Sequence, residues 1–267
     1  MIRFLSFGSG SSGNCYYLEN DDNAIIIDAG VGIRKLKKWV KEYGINLSAV
    51  KGIIITHDHA DHIKAAGYIS IEQNIKVFAT AAVHRGIRHN INAMKAIPAG
   101  NAIEIETDVP FSLAGFTITA FPIPHDSAEN VGYSIQYGDR TFCIMTDIGA
   151  VTEDVRKHIG ESDYIVIESN HDREMLLGGK YPRRLKERIM SGMGHLSNAQ
   201  TAKALVENVS ERTKHIWLCH LSEENNHPEL ARKTIECEFR AYGIIAGKDF
   251  ELDILRRLIP TGPWILD

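Results

Sequence analysis

Ile53-Ile54-Ile55-Thr56-His57-Asp58-His59-Ala60-Asp61-His62 is the stretch of sequence that decides the fold of this chain. Its β-branched apolar run predicts a buried strand. Five ionisable residues then follow within six positions, and burying them unpaired would cost several kcal/mol each. Because neutral imidazole and carboxylate groups are ligands for zinc, manganese and iron, we interpret HxHxDH as a metal site. The alternative is a histidine-rich polar surface turn, which is a rare composition directly after a buried strand.

The composition around this stretch is that of an ordinary globular protein with enough apolar material for a large core. The chain has 267 residues, of which 44% are hydrophobic and 24% charged, and its formal net charge is −4. No low-complexity linker and no repeat of fixed period interrupts it, so we predict one domain over residues 1–267. The overall charge gives no general nucleic-acid signature, so a nucleic-acid partner would need a local basic patch.

The sequence also predicts where the protein is located. No run of about eighteen apolar residues is present, which predicts that no segment spans a membrane. The segment Met1–Leu5 lacks the charged and apolar regions of a signal peptide and predicts a first strand. Four cysteines are scattered without a CxxC pair: Cys15, Cys143, Cys219 and Cys237. Reduced thiols in a cytoplasmic protein are therefore expected.

Ionisable residues recur directly after apolar segments along the rest of the chain. These residues are Asp28, His57, His125, Asp147, Glu168 and His220. Ligand sites in open α/β sheets form outside the carboxyl ends of the strands. The pattern therefore predicts an α/β fold in which these side chains meet at one edge.

Two further segments near the N-terminus leave alternatives open. The loop Gly8–Asn14 has a glycine-serine composition that lets backbone N–H groups approach an anion or a metal-bridging ligand, or simply makes a tight connection. A helix predicted from about Gly32 to Tyr43 carries five basic residues. They form either a solvated face or a surface that contacts a polyanion.

HxHxDH, a later isolated histidine, a later aspartate and a last histidine together resemble the metallo-β-lactamase superfamily. The resemblance implies an αββα sandwich, with two mixed β-sheets flanked by helices, and two divalent metal ions (zinc or manganese) at its edge. The implied ligands of the first metal are His57, His59 and His125. Those of the second are Asp61, His62 and His220, with Asp147 bridging the two and Asp28 orienting ligands from behind.

A second motif, Gly194-His195-Leu196-Ser197-Asn198, resembles the histidine loop of the phosphodiesterase branch of that superfamily, typified by ribonuclease Z. The resemblance implies that His195 contacts the scissile phosphate and helps to protonate the leaving group, supported by Glu168. Such a pair would raise the imidazole pKa and suit a general acid. The alternative places His195 at the start of a helix that Ser197 and Asn198 cap.

The whole chain looks like the YycJ/WalJ family. The segments that carry this likeness are Ser6–Asn14, Glu168–Asp172 and Leu176–Lys186. Members are bacterial cytoplasmic proteins associated with 5′-to-3′ exonuclease activity on DNA. The resemblance therefore implies a DNA substrate.

Several residues are candidates for contact with that substrate. The run that contains Lys180, Arg183 and Arg184 is the densest basic stretch, and it either contacts phosphate or is only solvated. His171 either contacts the substrate, replaces one of the metal ligands, or is a hydrogen-bonded loop histidine. Ser197 and Asn198 are the remaining candidates.

We therefore predict a metal-dependent phosphodiesterase or nuclease, a 5′-to-3′ DNA exonuclease in which a hydroxide activated by two metals attacks phosphorus. Asp61 orients that hydroxide, and His195 with Glu168 assists the leaving oxygen. The alternatives are a small-molecule phosphodiesterase, acting on a cyclic nucleotide or phosphoribosyl ester, and a non-catalytic metal-binding module. The sequence leaves the oligomeric state open.

Overall fold

The computed structural model describes residues 1–267. The strands are β1 (Ile2–Gly8), β2 (Cys15–Glu19), β3 (Ala24–Ile27), β4 (Val50–Ile54), β5 (Lys76–Thr80), β6 (Ala102–Ile105), β7 (Phe111–Leu113), β8 (Phe116–Pro122), β9 (Val131–Tyr137), β10 (Arg140–Met145), β11 (Tyr164–Glu168), β12 (His215–Cys219), β13 (Glu251–Ile254) and β14 (Thr261–Leu266). The helices are α1 (Ile33–Glu42), α2 (Ala60–Ile63), α3 (Ala66–Gln73), α4 (Ala81–His89), α5 (Glu153–Gly160), α6 (Arg173–Gly178), α7 (Arg183–Ile189), α8 (Asn198–Asn208) and α9 (Pro228–Ala241). None of these helices combines the length and the apolar character that a membrane span requires.

The strands form two mixed sheets of seven strands each. The first has the order β14-β1-β2-β3-β4-β5-β6, and the second has the order β13-β12-β11-β10-β9-β8-β7. In the first sheet, β3, β4, β5 and β6 run parallel. In the second, β10, β11, β12 and β13 run parallel. The predicted fold class, two mixed sheets flanked by helices, is confirmed.

The chain forms two compact units. Unit 1 comprises Met1–Ala120, Ser127–Asn130 and Arg256–Asp267, and unit 2 comprises Phe121–Asp126 and Val131–Leu255. A single domain over residues 1–267 stays a prediction.

Each unit has its own apolar core. In unit 1, α1 buries Leu36, Trp39 and Val40, which follow the three- and four-residue spacing of one helix face. In unit 2, α9 buries Ala231, Ile235 and Phe239 at four-residue intervals. Each core therefore fixes the backbone from which the polar strand ends project.

Two helical segments end where the backbone changes conformation. The segment Ala60–Gln73 is divided into α2 and α3 near Ala65. Helix α4 ends at His89, because Asn90 leaves the helical conformation and donates from Nδ2 to the Asp58 carbonyl at 2.7 Å. The terminal strand β14 was not predicted; it pairs antiparallel with β1.

Candidate metal centre

The first group of site residues lies in unit 1, at the carboxyl ends of two neighbouring parallel strands. Asp28 follows β3, and His57 comes three residues after the end of β4. We call Asp28, His57, His59, Asp61 and His62 the first cluster. Parallel pairing of β3 with β4 places their ends at the same sheet edge, and the Asp28 amide donates to the Ile54 carbonyl at 2.9 Å.

Asp28 is the fully buried acceptor of the first cluster. Its carboxylate accepts hydrogen bonds from the Thr56 amide at 2.9 Å and from the Thr56 hydroxyl at 2.9 Å. It also accepts one from His62 Nδ1 at 2.7 Å. Since a carboxylate can only accept, His62 must carry its proton on Nδ1, and its lone pair is on Nε2. The structure thus places Asp28 where the sequence predicted an orienting carboxylate.

The same reasoning fixes the tautomer of His57. The Thr56 hydroxyl donates its only proton to Asp28. His57 Nδ1 must therefore be the donor to Thr56 Oγ1, at 3.0 Å. The lone pair of His57 is therefore also on Nε2. The His57 ring centroid lies 4.7 Å from that of His59 and 4.0 Å from that of His62.

Asn14 is a site residue to which sequence reasoning gave no role. Its amide nitrogen lies 2.9 Å from His62 Nε2 and 3.3 Å from Asp61 Oδ2. Its backbone amide donates to the Asp61 carbonyl at 2.7 Å. The loop Gly8–Asn14 therefore holds the Asp61 backbone in place, and the Asn14 side chain directs an N–H group at two atoms that the resemblance assigns to a metal.

The second group of site residues lies in unit 2 and also follows parallel strands. Asp147, Glu168 and His220 come from the ends of β10, β11 and β12, which are neighbours in register. We call His125, Asp147, Glu168, His195 and His220 the second cluster.

Three strand-end residues of the two clusters have left-handed backbone conformations. The φ angles are 56° at Asp28, 57° at Asp147 and 54° at His220. A non-glycine residue in this region costs about 1–3 kcal/mol and persists only where the surroundings hold it. Aspartate and histidine tolerate it better than most residues do. These three strained backbone positions are therefore residues that the sequence predicted to belong to the site.

Glu168 is the fully buried acceptor of the second cluster, and both of its oxygens are used. Oε1 accepts from His195 Nδ1 and from His220 Nδ1, each at 2.9 Å. Oε2 accepts from the amides of Ile148 at 2.9 Å and Leu196 at 3.0 Å. Both histidines consequently carry a proton on Nδ1. The predicted support of His195 by Glu168 is present in the geometry.

The electrostatics of this pair follow from its burial and its partners. Burial alone would raise the pKa of the Glu168 carboxyl, but the charge of His195 and the hydrogen bonds from His195 and His220 outweigh it and lower that pKa. Burial opposes protonation of His195, yet Glu168 and Asp147 raise the imidazole pKa. The pair therefore favours a carboxylate beside a protonated imidazole.

His125 completes the second cluster. Its Nδ1 donates to the Gly194 carbonyl at 3.1 Å, in the loop that carries His195. Its Nε2 lies 3.8 Å from Asp147 Oδ1. Gly194 lets this loop pack against the end of α7, since a Cβ there would stand 2.2 Å from the Ile189 carbonyl oxygen.

The donor atoms of both clusters fit a divalent metal. Across both clusters, four predicted ligands have Nδ1 held by an acceptor of the protein. These are His57, His62, His125 and His220. An acceptor on one ring nitrogen that leaves the other as the donor is the usual environment of a metal-binding histidine.

The candidate substrate residues differ in their environment. Lys180 and Arg184 are exposed, whereas exposed Arg183 forms an ion pair with Glu187 at 2.7 Å. His171 is 2% exposed, and burial lowers its pKa to about 4. Substrate contact by these residues stays a prediction.

Ser197 and Asn198 both have structural hydrogen bonds at the start of α8. The Ser197 side chain accepts from the Gln200 amide, and the Gln200 side chain accepts from the Ser197 amide, so the two residues form a capping box. Asn198 is 1% exposed, and its amide bonds Ser169 at 2.6 Å and Asn226 at 2.9 Å. A role for either in substrate binding stays a prediction.

Comparison with known proteins agrees with this geometry. Residues 23–220 match the model of the β-lactamase superfamily domain. The chain is 32% identical to the exodeoxyribonuclease YycJ of Bacillus anthracis, over 97% of both chains. It is 31% identical to the exodeoxyribonuclease WalJ of Streptococcus pneumoniae strain D39, over 94% of this chain and 93% of the relative. The chain belongs to the β-lactamase superfamily, in the YycJ/WalJ family.

A solved structure supports the fold alone. Zinc-bound PqqB from Methylobacterium extorquens superposes with a TM-score of 0.72 at 13% identity, over 97% of this chain and 99% of that one. The predicted family and fold are therefore both confirmed.

Proposed function

We propose that this protein is a metal-dependent nuclease that shortens DNA from the 5′ end. The observation that carries the proposal is the set of four histidines whose Nδ1 protons are held by acceptors of the protein. Membership of a family whose named relatives are exodeoxyribonucleases supports DNA as the substrate. The 5′-to-3′ direction rests on the family resemblance.

Two divalent ions, zinc or manganese, are the proposed cofactors. The proposed ligands are His57, His59, Asp61, His62, His125, Asp147 and His220. When bound, such a pair activates water and neutralises charge on the phosphodiester oxygens. Nitrogen and carboxylate donors suit either metal.

Three side chains have proposed catalytic roles. Asp61, which Asn14 holds in the first cluster, orients the attacking water and accepts its proton. Glu168 fixes the His195 ring through the bond to Nδ1, so Nε2 is the atom that faces the substrate. A protonated His195 would donate its Nε2 proton to the leaving oxygen, a role in which general acids contribute about 10²–10⁴-fold.

We also propose a cytoplasmic location. None of the four cysteines forms a disulfide, and Cys15, Cys143 and Cys219 are buried. Four cysteines without a disulfide suit a reducing compartment.

The test uses duplex and single-stranded DNA labelled at the 5′ or the 3′ end, incubated with manganese-loaded protein. Progressive loss from the 5′ end that is absent in Asp61→Ala and His195→Ala is the expected result. Both variants should lower turnover far more than DNA affinity. Hydrolysis of bis-nitrophenyl phosphate with DNA left intact would instead indicate a small-molecule phosphodiesterase, and bound metal with neither substrate cleaved would indicate a non-catalytic metal-binding module.

A further inference from the structure

A cavity of about 690 Å³ lies within unit 1. The glycine-serine loop contributes Ser12 and Gly13 to its wall, the start of α1 contributes Arg34 and Lys35, and the C-terminal segment contributes Arg257. Its volume is in the range of cavities that bind a small ligand. The seven predicted metal ligands do not line it.

The charge of the cavity is opposite in sign to that of the whole chain. Five cationic residues line it, and Glu72 is its one acidic residue. The cations are Arg34, Lys35, Lys37, Lys64 and Arg257. Glu72 neutralises Lys37 in an ion pair of 2.7 Å. Arg34, Lys35 and Lys64 have no carboxylate partner. A chain with net charge −4 thus concentrates positive charge at one concave surface, which attracts polyanions.

This basic cavity adjoins the first cluster. Lys64 follows the metal-motif histidine His62 by two residues, at the end of α2. In the loop Gly8–Asn14, Gly13 of the cavity wall directly precedes Asn14, whose side chain contacts both Asp61 and His62. The cavity wall and the first cluster therefore share the loop Gly8–Asn14 and helix α2, which places a strand in the cavity near the proposed cleavage chemistry.

The cavity also offers an aromatic surface. Tyr68 on α3 is half-buried and lines it, with the Lys95 ammonium group 5.8 Å from the ring centroid. Grooves that bind single-stranded nucleic acid combine cations along the backbone with aromatic rings on which bases stack. Duplex DNA keeps its bases stacked inside and would not use such a ring.

We propose that this cavity binds the single-stranded end of the DNA substrate, with Arg34, Lys35 and Lys64 contacting phosphates and Tyr68 stacking on a base. The proposal rests on the proposed nuclease function and adds the strand path to it. It also assigns a role to part of the basic face of α1, which the sequence left open between solvent and a polyanion.

The test measures binding of a fluorescein-labelled single strand about 15 nucleotides long, by anisotropy. All proteins are full-length and carry Asp61→Ala so that cleavage does not disturb the titration. Adding Arg34→Ala, Lys35→Ala and Lys64→Ala should weaken binding at least about tenfold and lower the slope of log affinity against log salt by about 2. Glu72→Gln, which removes the one anion, should tighten binding instead.

The matched control changes Lys38 and Lys41 to alanine on the same helix. Both lie outside the cavity, and Lys38 is 68% exposed in a pair with Glu42. These changes should leave affinity and salt slope within twofold of the parent. Equal losses in the control and in the triple variant, or an unchanged triple variant, would overturn the cavity proposal. A parent protein that binds no DNA would overturn the proposed function itself.

Discussion

Asp28 in unit 1 and Glu168 in unit 2 are two fully buried carboxylates that both orient a histidine but differ in their other hydrogen-bond partners. Each holds the Nδ1 proton of a predicted metal ligand, His62 at 2.7 Å and His220 at 2.9 Å. Asp28 also accepts a hydrogen bond from the Thr56 hydroxyl, which in turn accepts one from His57 Nδ1. Glu168 instead holds a second imidazole, that of the proposed general acid His195.

The hydrogen-bond partners of Asp28 and Glu168 indicate that the two carboxylates have different roles. The partners of Asp28 are a proposed ligand, His62, and a threonine that orients another, so its proposed role is confined to metal binding. Glu168 links the proposed ligand His220 to His195, which would touch the substrate. A change at Glu168 should therefore damage both metal binding and chemistry, whereas a change at Asp28 should damage only metal binding.

Glu168→Gln gives the largest expected effect. An amide has one acceptor oxygen, which cannot serve two imidazoles and two backbone amides at once. DNA turnover should fall about 10²–10⁴-fold, and excess manganese should not restore it. The measurement is kcat over a metal titration, with metal content checked on the same samples. Full recovery at high metal would remove the proposed link to His195.

Asp28→Asn gives the next largest effect. Asparagine keeps the shape and tolerates the φ angle of 56°, but it holds the His62 proton less strongly. Metal affinity should fall about 10–100-fold, with turnover restored by excess metal. Isothermal titration with zinc gives the affinity. A turnover loss that persists at saturating metal would make the two carboxylates equivalent and break the comparison.

Glycines beside the two clusters give a smaller effect, on stability. A Cβ on Gly30 would stand 1.6 Å from the Asp61 carbonyl oxygen, and one on Gly194 would stand 2.2 Å from that of Ile189. Gly30→Ala and Gly194→Ala should each destabilise the fold by about 1–3 kcal/mol through forced backbone movement. Gly32→Ala and Gly192→Ala are matched controls, since nothing lies within 4 Å of either Cβ. Thermal unfolding of the four variants gives the comparison, and equal melting temperatures within each pair would contradict it.

His171 gives an effect that is absent at neutral pH, appears only in acid, and concerns unit 2 alone. Burial lowers its pKa from 6.5 to about 4, so the folded state prefers the neutral ring. Its contribution to stability is therefore complete above pH 6.5 and is lost as the pH falls toward 4. His171→Asn should flatten the decline of unfolding free energy across this range. Urea denaturation at several pH values measures it, and parallel curves for both proteins would exclude this burial effect.

The sequence was sufficient to predict the strands that carry the clusters. Apolar runs that end on Asp28, Asp147 or His220 are visible in the sequence. Parallel strands place their carboxyl ends at one sheet edge, which is why these residues were expected at a ligand site. The HxHxDH motif predicted the superfamily, and the segments Ser6–Asn14, Glu168–Asp172 and Leu176–Lys186 predicted the YycJ/WalJ family. The comparisons confirm both.

The connections within the clusters could not be predicted in the same way. The Asn14 contact depends on a loop that crosses to Asp61 from 47 residues away, and composition left that loop open between binding and a tight turn. The double use of Glu168 depends on the register of β11 with β12. The left-handed φ angles are set by tertiary packing, not by local propensity.

Strand β14 and helix α9 were missed for different reasons. The residues Gly262 and Pro263 give β14 the composition of a turn. The sequence did carry a signal for α9, since Ala231, Ile235 and Phe239 repeat at four-residue spacing after Pro228.

The central claim, a metal-dependent DNA nuclease, is tested most directly by titrating metal into chelator-treated protein while following loss of a 5′ label from DNA. The claim predicts no cleavage without metal and activity that rises until about two equivalents per chain are bound. Cleavage by protein that elemental analysis shows to be metal-free would contradict it.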